Sequence, residues 1–275
     1  MAVGYSLIYS LLSFTNFAHA VAVTAGAYVS CYLFMYTQPN LLLGLVASLL
    51  GGALVSVLIE ILVYRNMLMK RNSKKLYLMI AGWGISTVAE NLIIIFISSI
   101  SQFYPSELTS MGSIQLLGSS IGKVDVIILV LSILSMAALQ SYISFSRDGL
   151  AIRGASHNLQ YASLMGVNTD TLLIKVFAIA GVLAGIAGLF MGIKYTAYPT
   201  LGSVMTNKAF ISAVLGGLGS LPGAIAGAFL LGVIEVFVAG YISSALRDMI
   251  SFGILILVLI VRPSGLMGKS SEDKA

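Results

Sequence analysis

The sequence predicts an all-α fold: one polytopic membrane bundle spanning residues 1–275, with about eight transmembrane segments, the first of them truncated. Three observations predict it. The chain is 58% hydrophobic and only 9% charged, with a mean hydropathy of +0.99, whereas soluble domains carry about 25% charged residues. Its apolar blocks run for many residues with almost no charge, and in lipid only helices or closed barrels satisfy their own backbone hydrogen bonds. Its Lys and Arg residues gather in a few connecting segments, as loops retained on the cytoplasmic side do.

Hydropathy gives apolar blocks near 1–14, 20–37, 41–64, 76–100, 124–145, 171–193, 207–243 and 246–262. The seventh exceeds one helix and is broken by Gly219-Ser220-Leu221-Pro222-Gly223, so it reads as two segments, near 203–219 and 222–243. The first block makes about 21 Å of helix at 1.5 Å per residue, short of a hydrocarbon core of about 30 Å. Either the natural chain starts earlier or a partner completes a half-helix; the first is the expectation. With no basic n-region and no small-residue cleavage site, no cleaved signal peptide is expected.

Orientation follows from charge. Placing the 65–75 loop inside puts the 146–170 loop, the 219–222 turn and the C-terminus inside as well. Arg65, Lys70, Arg71, Lys74, Lys75, Arg147, Arg153, Arg262, Lys269 and Lys274 are then internal, against Lys123, Lys194, Lys208 and Arg247 outside. The formal net charge of +5 therefore reads as membrane topology, with the lipid bilayer as partner and not nucleic acid, because the basic residues flank apolar spans and form no patch interleaved with aromatics.

Several patterns carry chemistry or packing. Gly181, Gly185, Gly188 and Gly192 fall on one helical stripe, and Gly219, Gly223 and Gly227 repeat the pattern. Small residues so spaced let membrane helices approach closely, either within the bundle or at a subunit interface that slides during a cycle. In the loop, Ile152, Ala155, Leu159 and Ala162 recur at three and four on one face of a short helix over 149–166. Gly166 is placed to end it, and Thr169 or Asp170 to cap the next span. Such a helix lies on the membrane surface or docks a cytosolic partner; its small, Ala-rich face favours packing against protein. Arg153 is basic and near the inner surface, where lipid phosphate is an alternative partner.

Three carboxylates lie within or near spans, where charge is costly and usually faces a cavity or a partner. Glu60 sits five residues before Arg65, at the interface. Glu90, beside Asn91 and central in its span, is the best candidate for a polar translocation path, with Glu235 and Asn16 as further candidates. No catalytic set and no metal site is expected: His19 and His157 lie in separate segments, and Cys31 is the one cysteine, read as a small buried hydrophobe. Gly268-Lys269-Ser270 looks like the end of a phosphate loop, but the first glycine of that pattern is replaced by Pro263. This chain is therefore expected to bind no cofactor.

Four ordered elements carry a resemblance that spans nearly the whole chain. Phe14-Thr-Asn-Phe-Ala-His-Ala20 resembles the N-F-A-H-G element of branched-chain amino acid ABC transporter permeases of the LivH type. The likeness continues through Arg153 and Ala162-Ser-Leu-Met-Gly-Val-Asn-Thr-Asp170. It is strongest in Ala213-Val-Leu-Gly-Gly-Leu-Gly-Ser-Leu-Pro-Gly-Ala-Ile-Ala-Gly227, followed by Glu235, and Arg262-Pro-Ser-Gly-Leu-Met-Gly268 closes it. Ala20 stands where the family has glycine, and most of the stretch preceding the N-F-A-H element is missing.

The resemblance implies a multi-pass cell-membrane subunit that is not itself an enzyme. It implies a LivM-like second permease, two cytosolic ABC ATPases that hold ATP and Mg, and an extracytoplasmic substrate-binding protein. The 149–166 helix would be the coupling helix, moved as a rigid lever by the ATPases. Related permeases carry urea or short amides, so the substrate stays open between these and branched-chain amino acids. A stand-alone secondary carrier using Glu90 or Glu235 as its ion site is the reading from a different class.

Overall fold

A computed structural model describes residues 1–68, 74–110, 112–116 and 119–268. Thirteen helices and one short hairpin appear among the described residues: α1 (Ala2–Leu12), α2 (His19–Tyr36), α3 (Leu41–Ile59), α4 (Arg65–Leu68), α5 (Lys75–Phe96), α6 (Ser106–Thr109), β1 (Ser113–Leu116), β2 (Ser119–Gly122), α7 (Lys123–Phe145), α8 (Arg147–His157), α9 (Leu159–Leu164), α10 (Thr169–Tyr195), α11 (Leu201–Gly216), α12 (Leu221–Tyr241) and α13 (Arg247–Val261). A π-helical turn, Glu60–Tyr64, joins α3 to α4 into one continuous helix, Leu41–Leu68. Seven helices are long and apolar enough to cross a membrane; α1 and α11 are shorter. The expected bundle is what the chain forms.

The bundle is built around α10, which packs along α2 and α3. Glycine makes that possible. A β-carbon at Gly185 would collide with the Ser48 carbonyl of α3, and one at Gly188 with the Val23 carbonyl of α2; one at Gly26 would come within 2.6 Å of the Gly185 Cα. The predicted stripe therefore lies inside this chain, with Gly181, Gly185 and Gly188 buried against its own helices. The second stripe does the same between α11 and α12: a β-carbon at Gly223 or Gly227 would strike the carbonyl of Gly216 or Ser212. Gly219, by contrast, has φ +83° and room around it, so its requirement is the left-handed turn itself.

The structure corrects three expectations. First, the segment read as a span near 203–219 is α11, 16 residues long. Its Gly202 N–H donates to Thr24 Oγ1 at 3.1 Å, so it starts beside the early part of α2 and not at that helix's far end. Second, the single helix expected over 149–166 is two. Asn158 adopts an extended backbone, ends α8, and accepts from the Gln160 and Tyr161 amides to start α9. Third, the cap of α10 is Asn168, whose side chain accepts from Thr171 N, and not Thr169 or Asp170; Gly166, at φ +87°, follows the end of α9 as expected. The β1–β2 hairpin and the π turn have no counterpart among the expected elements.

One end of the bundle gathers the 13–18 connection, α8 and α9, the 217–220 turn and the 262–268 segment. Leu266 and Met267 N–H groups donate to the Leu215 and Gly216 carbonyls at 2.9 Å, closing the C-terminus of α11. Arg65 meets Asp170 at 2.9 Å at this same end. Substituting Gly185 by Val should lower stability by about 3 kcal/mol, the upper range for overpacking. Gly232→Ala, at an open position, should shift it by less than about 0.5 kcal/mol. Thermal unfolding of the two detergent-solubilised variants measures the contrast.

Candidate functional site

The arm made of α8 and α9 is held in place by its own sequence. Ser146 Oγ caps α8 by accepting from Gly149 N at 2.8 Å. Gly149 lies so close to the Ile143 carbonyl that no β-carbon fits, which sets the sharp corner after α7. Asp148 then ties the corner down, accepting from Lys175 Nζ of α10 at 2.8 Å and from Tyr142 Oη of α7 at 2.8 Å. The Lys175 ammonium, with the Tyr142 hydroxyl, holds the Asp148 carboxyl below the usual carboxylate range. Its contribution is therefore complete above the unfolded pKa near 4 and fades as pH falls through the lower folded value.

The two faces of the arm differ. Ile152, Ala155 and Ala162 are buried, and Leu159 is half-buried, in the core formed with α1, α7 and α10. The face named as the docking surface thus packs on the chain's own bundle. Arg153 donates to the carbonyls of Ile143 and Ser144 (3.2 Å to the latter), so it caps the end of α7. Facing away are Leu150, Tyr161, Leu164 and Met165, exposed by 65, 67, 81 and 86%. The first two and Met165, with Gly154 and Ala162, line an apolar groove of about 430 Å³. The three- and four-residue spacing located the arm but selected its inward face; the long apolar residues left over were the signal for the outward one.

The candidate path residues separate. Glu90 of α5 is half-buried and accepts from the Ser203 hydroxyl at the start of α11, with Ser86 Oγ 3.2 Å from Ser203 Oγ. A carboxylate at a helix N-terminus interacts favourably with its dipole. Asn91 points elsewhere, exposed and donating back to the Thr87 carbonyl at 2.8 Å. Asn16 is buried and accepts from Tyr64 Oη at 2.6 Å, which fastens the 13–18 connection to the π turn. Glu235 of α12 is paired: Lys208 Nζ lies 2.7 Å from it and 3.0 Å from Asp248, and Ser251 Oγ donates to it at 3.1 Å. It fastens α11, α12 and α13 together. Glu90 and Glu235, of the four, sit in partly open polar clusters contributed by separate helices; the Glu235 cluster contains a cation, Lys208, whereas Glu90 is held by serine hydroxyls.

This is the architecture of a membrane permease: a glycine-packed helical bundle with a rigid arm at one end and a polar cluster inside. Over residues 1–259 the chain matches the family described as "Branched-chain amino acid transport system / permease component", and it belongs to that family. It is 35% identical to the high-affinity branched-chain amino acid transport system permease protein LivH of Escherichia coli K12, and 34% identical to LivH of Salmonella typhimurium. It is 31% identical to the corresponding protein BraD of Pseudomonas aeruginosa. Each match covers 100% of this chain and 92% of the relative. No solved structure matches it.

Lys208→Met should destabilise the fold by about 2 kcal/mol, because two carboxylates would be left facing each other. The double variant Lys208→Met with Glu235→Gln should recover part of that loss. Unfolding midpoints of the two variants measure the coupling.

Proposed function

We propose that this chain is a membrane-spanning subunit of an ABC importer for branched-chain amino acids, and that α8 and α9 transmit the motion of its ATPases. The observation that carries the reading is the two-sided arm. Its inward face and the Asp148–Lys175 pair fix it to α10 and α7, while its outward face presents four long apolar residues with no partner among the described residues. A push on the outward face would move α7 and α10 with the arm, because rigid packing and a charged clamp leave little slack.

Two cytosolic ATPases would hold ATP and Mg, a LivM-like permease would complete the path, and an extracytoplasmic binding protein would deliver substrate. The arm, the 219–222 turn and the C-terminus would face the cytoplasm, in keeping with the excess of Lys and Arg at that end. Glu90, with Ser203 and Ser86, would lie on the translocation path, where a carboxylate suits the ammonium of an amino acid. The names of the relatives support branched-chain amino acids over urea or short amides.

Tyr161→Glu should leave the folded bundle intact yet reduce co-purification of the ATPases at least tenfold and abolish leucine uptake. Ile152→Ala should instead cost about 2–4 kcal/mol of stability. Asp148→Asn should release the corner and uncouple ATP hydrolysis from uptake without preventing ATPase binding. Co-purification and labelled-leucine uptake in reconstituted vesicles decide; full ATPase binding by Tyr161→Glu counts against the arm, and uptake by this chain alone on an ion gradient counts against the importer.

A further inference from the structure

Beside the arm, adjoining the apolar groove at His157, lies a second cleft of about 330 Å³. The end of α1, α8, the 217–220 turn and the 262–268 segment enclose it. Arg153 and His157 enter from α8, Ser13 from the end of α1, and Ser220 from the start of α12; Tyr9 and Met267 form its walls.

Its polar hydrogens decide what it takes. Ser220 Oγ accepts from Gly223 N, so its own proton is uncommitted. Ser13 Oγ makes no hydrogen bond among the described residues. The guanidinium of Arg153 is oriented by the Ile143 and Ser144 carbonyls through Nη1 alone, leaving Nε and Nη2 to donate. His157 contributes a further donor. Its lining residues include no carboxylate, although Asp148 and Asp170 lie nearby on the same end of the bundle. The N-terminus of α12 opens beside it, adding partial positive charge. Donors from three separate elements thus line one cavity whose lining includes no carboxylate.

We propose that this cleft binds a phosphate group, either the headgroup of a bilayer phospholipid or a free phosphate. Several peripheral oxygens match the fork of a guanidinium and the two hydroxyls better than a lone carboxylate does. Its occupancy would brace the arm against α1 and α12, next to the proposed ATPase contact, with His157 shared between the two cavities. The proposal rests on the described geometry and not on which side of the membrane this end occupies.

The test uses the full purified chain in a neutral, phosphate-free detergent. Dioctanoyl phosphatidic acid, dioctanoylglycerol and inorganic phosphate are titrated separately, with the unfolding midpoint and direct calorimetric binding as readouts. Phosphatidic acid should bind and raise the midpoint, and dioctanoylglycerol, with the same chains and no phosphate, should not. A rise with inorganic phosphate as well identifies the free ion as a sufficient ligand, and a rise with phosphatidic acid alone identifies the lipid. Ser13→Gly, which relaxes the positive φ of 52° at that position, combined with His157→Ala should weaken binding at least tenfold. Arg153→Gln serves as a second variant if it folds. Equal effects of phosphatidic acid and dioctanoylglycerol, or unchanged affinity in the double variant, would overturn the proposal. So would loss of ATPase association in that variant with no change in phosphate binding, since the cleft would then be a protein contact. Failure of the Tyr161 experiment leaves this one unaffected, because no ATPase takes part in the binding measurement.

Discussion

The near-contact of backbones between α10 and its two neighbours is the constraint on which the rest of the structure depends. Between membrane helices apolar burial supplies no drive, since lipid tails are as apolar as leucine. Dispersion and shape must hold them, and both improve as helix axes approach. At Gly181, Gly185 and Gly188 the opposing surfaces are backbone atoms of α3 and α2 and, at Gly181, the small Ser56 side chain. A helix seated that closely has one register and little freedom to slide. The stripe thus seats α10 as a closely packed frame against α2 and α3 of this chain.

Everything attached to that frame inherits its stiffness. The arm meets α10 through Lys175 and Asp148 and through the buried Ile152 and Ala155. It meets α7 through Tyr142, the Gly149 corner and the Arg153 cap. Its connections are short and charged on one side, apolar on the other, so the arm and the two spans are packed as one unit. Several polar groups inside the bundle follow the rule that charge in a membrane is partnered, whereas the buried Glu60 carboxylate has no hydrogen-bond partner among the described residues. Glu235 is satisfied by Lys208 and Ser251, Asn16 by Tyr64, and Glu90 by Ser203 at the start of a short helix.

Much of this was legible in the sequence, and the exceptions have physical reasons. Hydropathy located the spans because a bilayer imposes length and apolarity locally. Charge grouped the correct loops at one end of the bundle. The glycine spacing marked close packing but not its partner, since Ser48 and Val23 lie far away in sequence. Helical periodicity found the arm and then chose the face that turns inward, because a small Ala-rich face suits either a partner or the protein's own core. Asn158 and Asn168 are residues suited to cap a helix start, but in sequence Gly166 and Thr169 are equally good boundary signals. The Lys208–Glu235–Asp248 network and the pairing of Glu90 with Ser203 depend on contacts between distant helices, and no spacing in one helix announces them.

The central claim is that the outward face of the arm is gripped by another subunit while its inward face is locked into the bundle. Single cysteines at Leu164 and Ala155, introduced into a variant lacking Cys31 and treated with a membrane-impermeant maleimide, test it most directly. The Leu164 position should label only from the cytoplasmic side and become protected when the ATPases are added, and the Ala155 position should stay unlabelled throughout. Labelling of Leu164 from outside intact cells, or ready labelling of Ala155 in the folded protein, would contradict the account.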